Sequence, residues 1–263
     1  VRIVVTVKDV PDISGARQLG ADGRLVRDDG DSTLNELDEN AVQAAVDLRA
    51  ATGGEVVVLS IGPSQAVSAV RRALQLGADR GVLVSDETLA GLDAPATGVA
   101  LAAAIAADGG ADLVLCGMSA TDGMTSVVPG ALAAALGVPA VTLAAALEVT
   151  DGRVMVRREL ADVTERVEVD LPAVVSVSDQ VNEPAVPGFK AILGARKKPV
   201  ERLDAAALAP GLAALGLAAA DLTARTRVVD THLRPPRTDQ VLVDDDGTAG
   251  ATLAAWLVDR HLV

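Results

Sequence analysis

Glu55-Val-Val-Val-Leu-Ser60, Ile61-Gly62-Pro63, Ser64-Gln-Ala-Val-Ser-Ala-Val-Arg-Arg-Ala-Leu-Gln-Leu76 and Gly81-Val-Leu-Val84 follow one another along the chain. The first and last pieces are short β-branched runs with no polar alternation, as in strands buried on both faces. Gly62-Pro63 makes a turn, and the piece between carries apolar residues at helical spacing. Strand, turn, helix and strand together predict a βαβ unit and hence a parallel sheet. The pattern continues outward. Ala94 to Ala107 predicts a helix, Ala111 to Cys116 a strand, Gly117 to Thr125 a loop, Pro129 to Leu136 a helix, and a further strand starts at Val138. Towards the N-terminus, Val1 to Val7 predicts a buried strand, followed by a polar excursion, a loop or hairpin, from Asp9 to Asp31. Ser32, Thr33 or Asn35 is placed to cap a helix running through Glu39 to Arg49, which Gly53-Gly54 ends. The fold class is α/β, a doubly wound parallel sheet.

After Glu148 the period changes. Val154-Met-Val-Arg-Arg-Glu159 and Arg166-Val-Glu-Val-Asp-Leu171 alternate apolar with polar residues, which predicts a small two-stranded β-ribbon with one wet face. Leu171 to Ser178 returns to a buried strand. Beyond Pro184 the chain holds prolines and short helical pieces, including the Ala/Leu stretch 205–220. It lacks the makings of a second core, so an α/β domain over 1–203 and an extended C-terminal arm over 204–263 are expected.

Composition narrows the function. A formal charge of -13 argues against nucleic acid, whose phosphates require a basic face. The single cysteine, Cys116, excludes an internal disulfide framework and a Cys-based cluster. The only histidines, His232 and His261, lie late in the chain, so no metal site is expected and a reducing cytoplasm is. Gly123 to Leu147 is uncharged and long enough to span a bilayer. It is interrupted by Pro129, Gly137 and Pro139 and lacks basic flanks, so a helix followed by a strand is expected instead of a membrane span. The apolar run after Arg2 is short and is expected to be a first strand, not a signal peptide.

In an open parallel sheet, ligands bind beyond the carboxyl ends of the strands. Four segments fall there: Lys8 to Asp12, Ser60 to Pro63, Gly117 to Thr125, and Ser178 to Pro184. Cys116-Gly-Met-Ser-Ala-Thr-Asp-Gly-Met-Thr-Ser126 leaves a strand without bulk and enters a helix, where free N–H groups suit a phosphate. It reads equally as an ordinary Gly-rich turn, having neither a Walker lysine nor a GxGxxG. No Ser-His-Asp order is available, so no catalytic constellation is expected. Val181 to Glu201 puts the sole Phe, Phe189, on a Pro/Gly-bounded loop. Over 190–202, Lys190, Arg196, Lys197, Lys198 and Arg202 outweigh Glu201 by a local charge of +4. An apolar anchor rimmed by charge builds a docking site, whereas a tucked Phe beside a solvated helix end would look the same in sequence.

Several ordered blocks carry a resemblance. They are Val7-Lys-Asp-Val-Pro-Asp12, Asn35 to Glu39, Gly62-Pro63, Ala73-Leu-Gln-Leu-Gly-Ala-Asp-Arg80, Thr121-Asp-Gly123, Arg158-Glu159, Leu171-Pro-Ala-Val-Val175 and Asn182-Glu-Pro184. Along almost its whole length the chain resembles the β subunit of electron-transfer flavoproteins. The resemblance implies an electron carrier, not an enzyme with substrate chemistry of its own. It implies pairing with an α subunit that holds most of the FAD, and an AMP buried in this chain. Carried over by position, Thr6, Asn35, Asp38, Ile61, Gly117, Asp122, Gly123, Met124 and Thr125 would line the AMP pocket. Segment 181–202 would be the partner-recognition loop, with Phe189 near the anchor position and Lys190, Ile192, Arg196 and Lys197 around it. The arm would wrap the α subunit, with Trp256 a contact. Electrons would come from acyl-CoA or related flavin dehydrogenases of fatty acid β-oxidation and go to a quinone reductase. Departures exist. Ser126-Val127 stands where many relatives have a small residue and Gln, which favours AMP over the second FAD of bifurcating relatives. Val163 replaces a usual Gly, while Glu165 is kept. Ile13 replaces an aromatic that lies near the flavin in some members. A bifurcating carrier with two FADs and a stand-alone adenine-nucleotide module are the competing readings.

Overall fold

The central strands of the sheet carry apolar side chains at consecutive positions, so each of them feeds two cores at once. In the computed structural model, which describes residues 1–14, 18–27, 32–232, 234–238 and 240–263, β1 spans Arg2–Thr6 and β4 Glu55–Ile61. Ile3, Val5, Val56 and Val58 face one helical layer, and Val4, Val57 and Leu59 face the other. The period of two thus turns a continuous Val run into a doubly covered sheet. Fully burying one such side chain is worth about 1.5–3 kcal/mol.

The helices divide accordingly. α1 (Glu36–Thr52) and α2 (Val67–Leu76) cover the first face; α3 (Ala94–Ala107), α4 (Val128–Leu136) and α6 (Ala209–Ala214) cover the second. α3 buries Ala100, Ala102, Ala103 and Ala104, small residues that let neighbouring backbones come close. Asp93 starts it by accepting the Ala96 N–H at 3.0 Å. The helix expected from Ser64 opens as a 3₁₀ turn over Ser64–Ala66 before α2 begins.

The remaining strands are β2 (Asp9–Pro11), β3 (Ser32–Leu34), β5 (Arg80–Val84), β6 (Leu113–Gly117), β7 (Ala140–Thr150), β8 (Arg153–Glu159), β9 (Thr164–Asp170), β10 (Ala173–Val177) and β11 (Val200–Leu203). Among the described residues the main sheet has nine strands in the order β11-β5-β4-β1-β6-β10-β7-β8-β9. Every pairing from β11 to β7 is parallel, and β7-β8-β9 is antiparallel. The doubly wound α/β class is borne out. The ribbon differs from its expected form: β7 runs on past the sheet to pair with β8, so the antiparallel part has three strands. Ala-Ala-Ala-Leu147 hides that third strand in sequence, because it does not alternate. Within the expected excursion, β2 pairs with β3 and Leu19 bridges Leu25. Its residues 15–17 and 28–31 lie outside the described residues.

Two compact units divide the chain, Val1–Val228 and Val229–Val263. The boundary expected at 203 therefore moves. Leu208 and Leu212 are buried in the core beside α3, and a Cβ on Gly211 would come within 1.8 Å of the Ala103 carbonyl oxygen. Only glycine permits that crossing, which fixes residues 205–214 to the main body. The second unit holds α7 (Ala249–Asp259), no residue of which is buried. Within it the Arg260 guanidinium lies 5.0 Å from the centre of the Trp256 ring. No helix among the described residues is long and apolar enough to cross a membrane. The uncharged run from Gly123 splits into α4, a left-handed Gly137 and β7.

Candidate nucleotide loop and docking segment

β1 lies between β4 and β6, so the chain winds outward from it in both directions. In open α/β sheets such a switch point places the ligand crevice beyond the strand carboxyl ends, here those of β1 and β6. Thr6 and Gly117 end those strands, and Ile61 ends β4 beside them. The first turn of α1 closes the crevice from one side. A Cβ on Gly117 would lie 2.4 Å from Asp38 Oδ1 and 2.8 Å from the Leu37 backbone, so only glycine lets α1 come this near β6.

Asn35 precedes α1 and is fully buried. Its side chain makes no cap hydrogen bond. Instead Nδ2 donates to the Ser119 carbonyl at 2.9 Å, and Oδ1 accepts the Thr121 N–H at 3.0 Å. One amide therefore pins the loop after β6 to the start of α1. Asp122 pins it a second time: its side chain, 1% exposed, takes Lys8 Nζ at 2.8 Å and Arg27 Nη2 at 2.6 Å. Burial works against the Asp122 charge, yet Lys8 and Arg27 hold its carboxyl below the usual range.

Beyond these pins the loop is open. Gly123, Met124, Thr125, Ser126 and Val127 are exposed, and nothing lies within 4 Å of where a Gly123 Cβ would stand. Met124 and Ser126 have φ of 50° and 51°. Left-handed non-Gly residues are uncommon, and alternation with right-handed ones turns successive N–H groups towards one side, as in anion-binding nests. α4 starts only at Val128. Among the described residues, the N–H groups of Thr125, Ser126, Val127 and Val128 have no backbone or side-chain acceptor. The nine sequence-derived residues thus gather around one crevice and its loop. Lys8, Arg27 and Ser119 join them without having been singled out. Lys8 sat inside a quoted block, but Arg27 is 95 residues from Asp122, and nothing in sequence links the two.

Asp38 accepts the Lys8 N–H at 2.9 Å. Burial pushes its carboxyl from 3.8 up to about 7, against hydrogen bonds from Asn35, Lys8 and Gly117 and the Lys8 charge. The folded chain therefore keeps this proton where the unfolded chain has lost it, and stability falls as pH rises from about 4 to about 7. Asp122, whose carboxyl is lowered, contributes the opposite slope only below about pH 4. Urea unfolding should show a loss on the order of 2 kcal/mol between about pH 5 and about pH 8, and Asp38→Asn should remove most of it. Equal slopes in both proteins would show that Asp38 ionises freely.

Away from the crevice, α5 spans Phe189–Ala195. Val186 is 91% exposed, Phe189 76% and Leu193 42%, and Phe189 and Leu193 share one helix face. Ile192 is half-buried and Ala195 buried, so the outward stripe is Val186, Phe189 and Leu193. Lys190, Arg196, Lys197 and Arg202 are exposed around it. Lys198 folds back instead, its Nζ donating to the Leu74 and Ala78 carbonyls at 3.0 and 2.5 Å beyond the end of α2. In the ribbon, Arg158 pairs with Glu165 at 3.5 Å, and Val163 and Ile13 are both exposed.

Residues 22–208 match the model of the electron transfer flavoprotein domain family. The chain is 37% identical over 267 residues to the electron transfer flavoprotein subunit beta of Mycobacterium leprae, with 99% of each chain covered. It is 35% identical to the protein of that description from Thermoanaerobacterium thermosaccharolyticum, again with 99% of each covered. Over 200 residues, 76% of each chain, it is 35% identical to the caffeyl-CoA reductase-Etf complex subunit CarD of Acetobacterium woodii.

Proposed function

This chain belongs to the electron transfer flavoprotein family, as a β subunit, and from that membership we propose how it divides the work with its α subunit. It is the nucleotide-holding and partner-selecting half of a cytoplasmic heterodimer. The observation that carries this reading is the loop after β6, held at Ser119 and Thr121 by Asn35 and at Asp122 by Lys8 and Arg27, while four successive N–H groups stay open among the described residues.

Those donors fit a phosphate, and the open space at Gly123 leaves room for it. Thr6, Ile61 and Gly117 would form the walls for the adenosine of an AMP. Ser60 Oγ, buried without a partner among the described residues and one residue before Ile61, is a hydroxyl left over for a ligand. Val127 offers no side-chain hydrogen bond where many relatives carry Gln, which favours a monophosphate over the pyrophosphate of a second FAD. The family's FAD, held mainly by the α subunit, supplies the electron-carrying chemistry. This chain contributes a rigid frame beside it.

Partner choice falls to the stripe Val186, Phe189 and Leu193. A solvated aromatic flanked by aliphatic residues and a basic rim is built to enter an apolar pocket bordered by acidic groups. Acyl-CoA or related flavin dehydrogenases are the proposed donors, and a quinone reductase the acceptor. In the second unit, α7 leaves Leu253, Trp256 and Val258 uncovered, and the α subunit is the proposed cover. Co-expression with the α subunit tests the whole reading. A yellow one-to-one complex that an acyl-CoA dehydrogenase reduces is expected; a colourless monomer indifferent to the dehydrogenase would refute it.

A further inference from the structure

The exposed stripe sits between two sets of ties to the helices beneath it. On its N-terminal side, Asn40 Nδ2 donates to the Asn182 carbonyl at 2.9 Å and to Asn182 Oδ1 at 3.2 Å. Asn182 Nδ2 returns a bond to the Asn40 carbonyl at 3.0 Å. One turn along α1, Gln43 Oε1 accepts the Ala185 N–H at 3.1 Å. On the C-terminal side, Arg71 Nη1 of α2 donates to the Ala195 and Lys198 carbonyls at 3.1 and 2.7 Å. Between the ties Val186, Phe189 and Leu193 stay exposed.

We propose that Asn40, Asn182 and Arg71 are positioning residues for docking: they clasp the segment at both ends and hold Phe189 ready for its pocket. The proposal rests on the docking reading given above. Its physical basis is the ordering cost of binding. An apolar anchor on a loose loop must be immobilised when it docks, whereas one already held loses little. The ties are suited to this. Asn40 is itself buried, so its amide is not free to turn to water, and the reciprocal Asn pair fixes both direction and register of the entering chain. Arg71 reaches two carbonyls with one nitrogen where the short helix α5 ends, satisfying that of Lys198 and joining the Lys198 N–H on that of Ala195. None of the three touches the stripe's outer face, so they act through Phe189 and not on the partner.

The test uses the heterodimer carrying Asn182→Ala or Arg71→Met. Two quantities are measured: chymotryptic cleavage after Phe189, the sole Phe of the chain, and electron transfer from an acyl-CoA dehydrogenase with the heterodimer as varied substrate. Each variant should be cleaved about fivefold faster and show a KM raised about fivefold, with kcat and flavin content unchanged. Arg71→Lys, which keeps a cationic donor near the two carbonyls, should recover most of both effects. Unchanged cleavage would overturn the clasp. Faster cleavage with unchanged KM, in a protein that Phe189→Ala impairs, would overturn the positioning role while leaving the docking reading intact. If Phe189→Ala has no effect either, the docking reading falls and this proposal with it. Should Asn182→Ala fail to assemble, the Arg71 pair of variants decides alone.

Discussion

Asn35→Ala should lower the stability of the chain by about 3–4 kcal/mol and leave the purified heterodimer without its proposed AMP. The size follows from what the amide leaves behind. Its removal strands the Ser119 carbonyl and the Thr121 N–H, which it now satisfies at 2.9 and 3.0 Å from a fully buried position. An unsatisfied buried group costs about 1–3 kcal/mol, and two are created at once. The loss of nucleotide follows from the same geometry, because loop 119–121 leads directly into the open N–H groups of 125–128. Asn35→Asp sharpens the test. It keeps an acceptor for Thr121 but loses the donor to Ser119 and places a carboxylate beside Asp38, so it should be no better than Ala. Chemical denaturation and nucleotide extraction measure the two effects separately. A stable Asn35→Ala protein that retains AMP would show that the loop holds its shape through Asp122 alone.

Phe189→Ala should leave folding and flavin content unchanged while lowering kcat/KM for the dehydrogenase by about 30-fold. Exposed on the free chain, the ring contributes little to folding, and substitutions at such positions stay within about 0.5 kcal/mol. At an interface the same ring is the kind of anchor whose truncation costs about 2 kcal/mol, which is about 30-fold. Leu193, one helical turn on, should behave in the same direction. Unchanged electron transfer at equal flavin content would return Phe189 to the ordinary surface.

Much of this was legible in sequence because the signals were local. Consecutive β-branched residues at Val56 to Val58 and Val174-Val175 mark strands covered on both faces, and Gly62-Pro63 marks the turn from the first of them towards α2. The crevice residues were carried over by position from the resemblance, and only Asn35, Asp38, Asp122 and Gly123 lie within the ordered blocks that carry it. What escaped depends on distance or on register. Asn35 was placed as a helix cap, and its position is that of a cap, but sequence cannot say that its amide turns to a loop over eighty residues ahead. Arg27 meets Asp122 by tertiary folding alone. The arm boundary fell at 203 because 205–220 is Ala/Leu-rich without obvious periodicity; yet Leu208 and Leu212 are spaced for one helix face, and Gly211 lies where α3 leaves no room. In the docking segment the basic cluster was read as one group. The fold separates it, sending Lys198 back to the end of α2 and leaving Lys190, Arg196 and Lys197 outside.

The division of labour between the subunits is tested most directly by denaturing the co-purified heterodimer and quantifying the released nucleotides by chromatography. One FAD and one AMP per dimer are expected. Two FADs and no AMP would contradict the assignment of this chain's loop to a monophosphate and support the bifurcating type of carrier. One FAD with no adenine nucleotide beside it would contradict the nucleotide site itself.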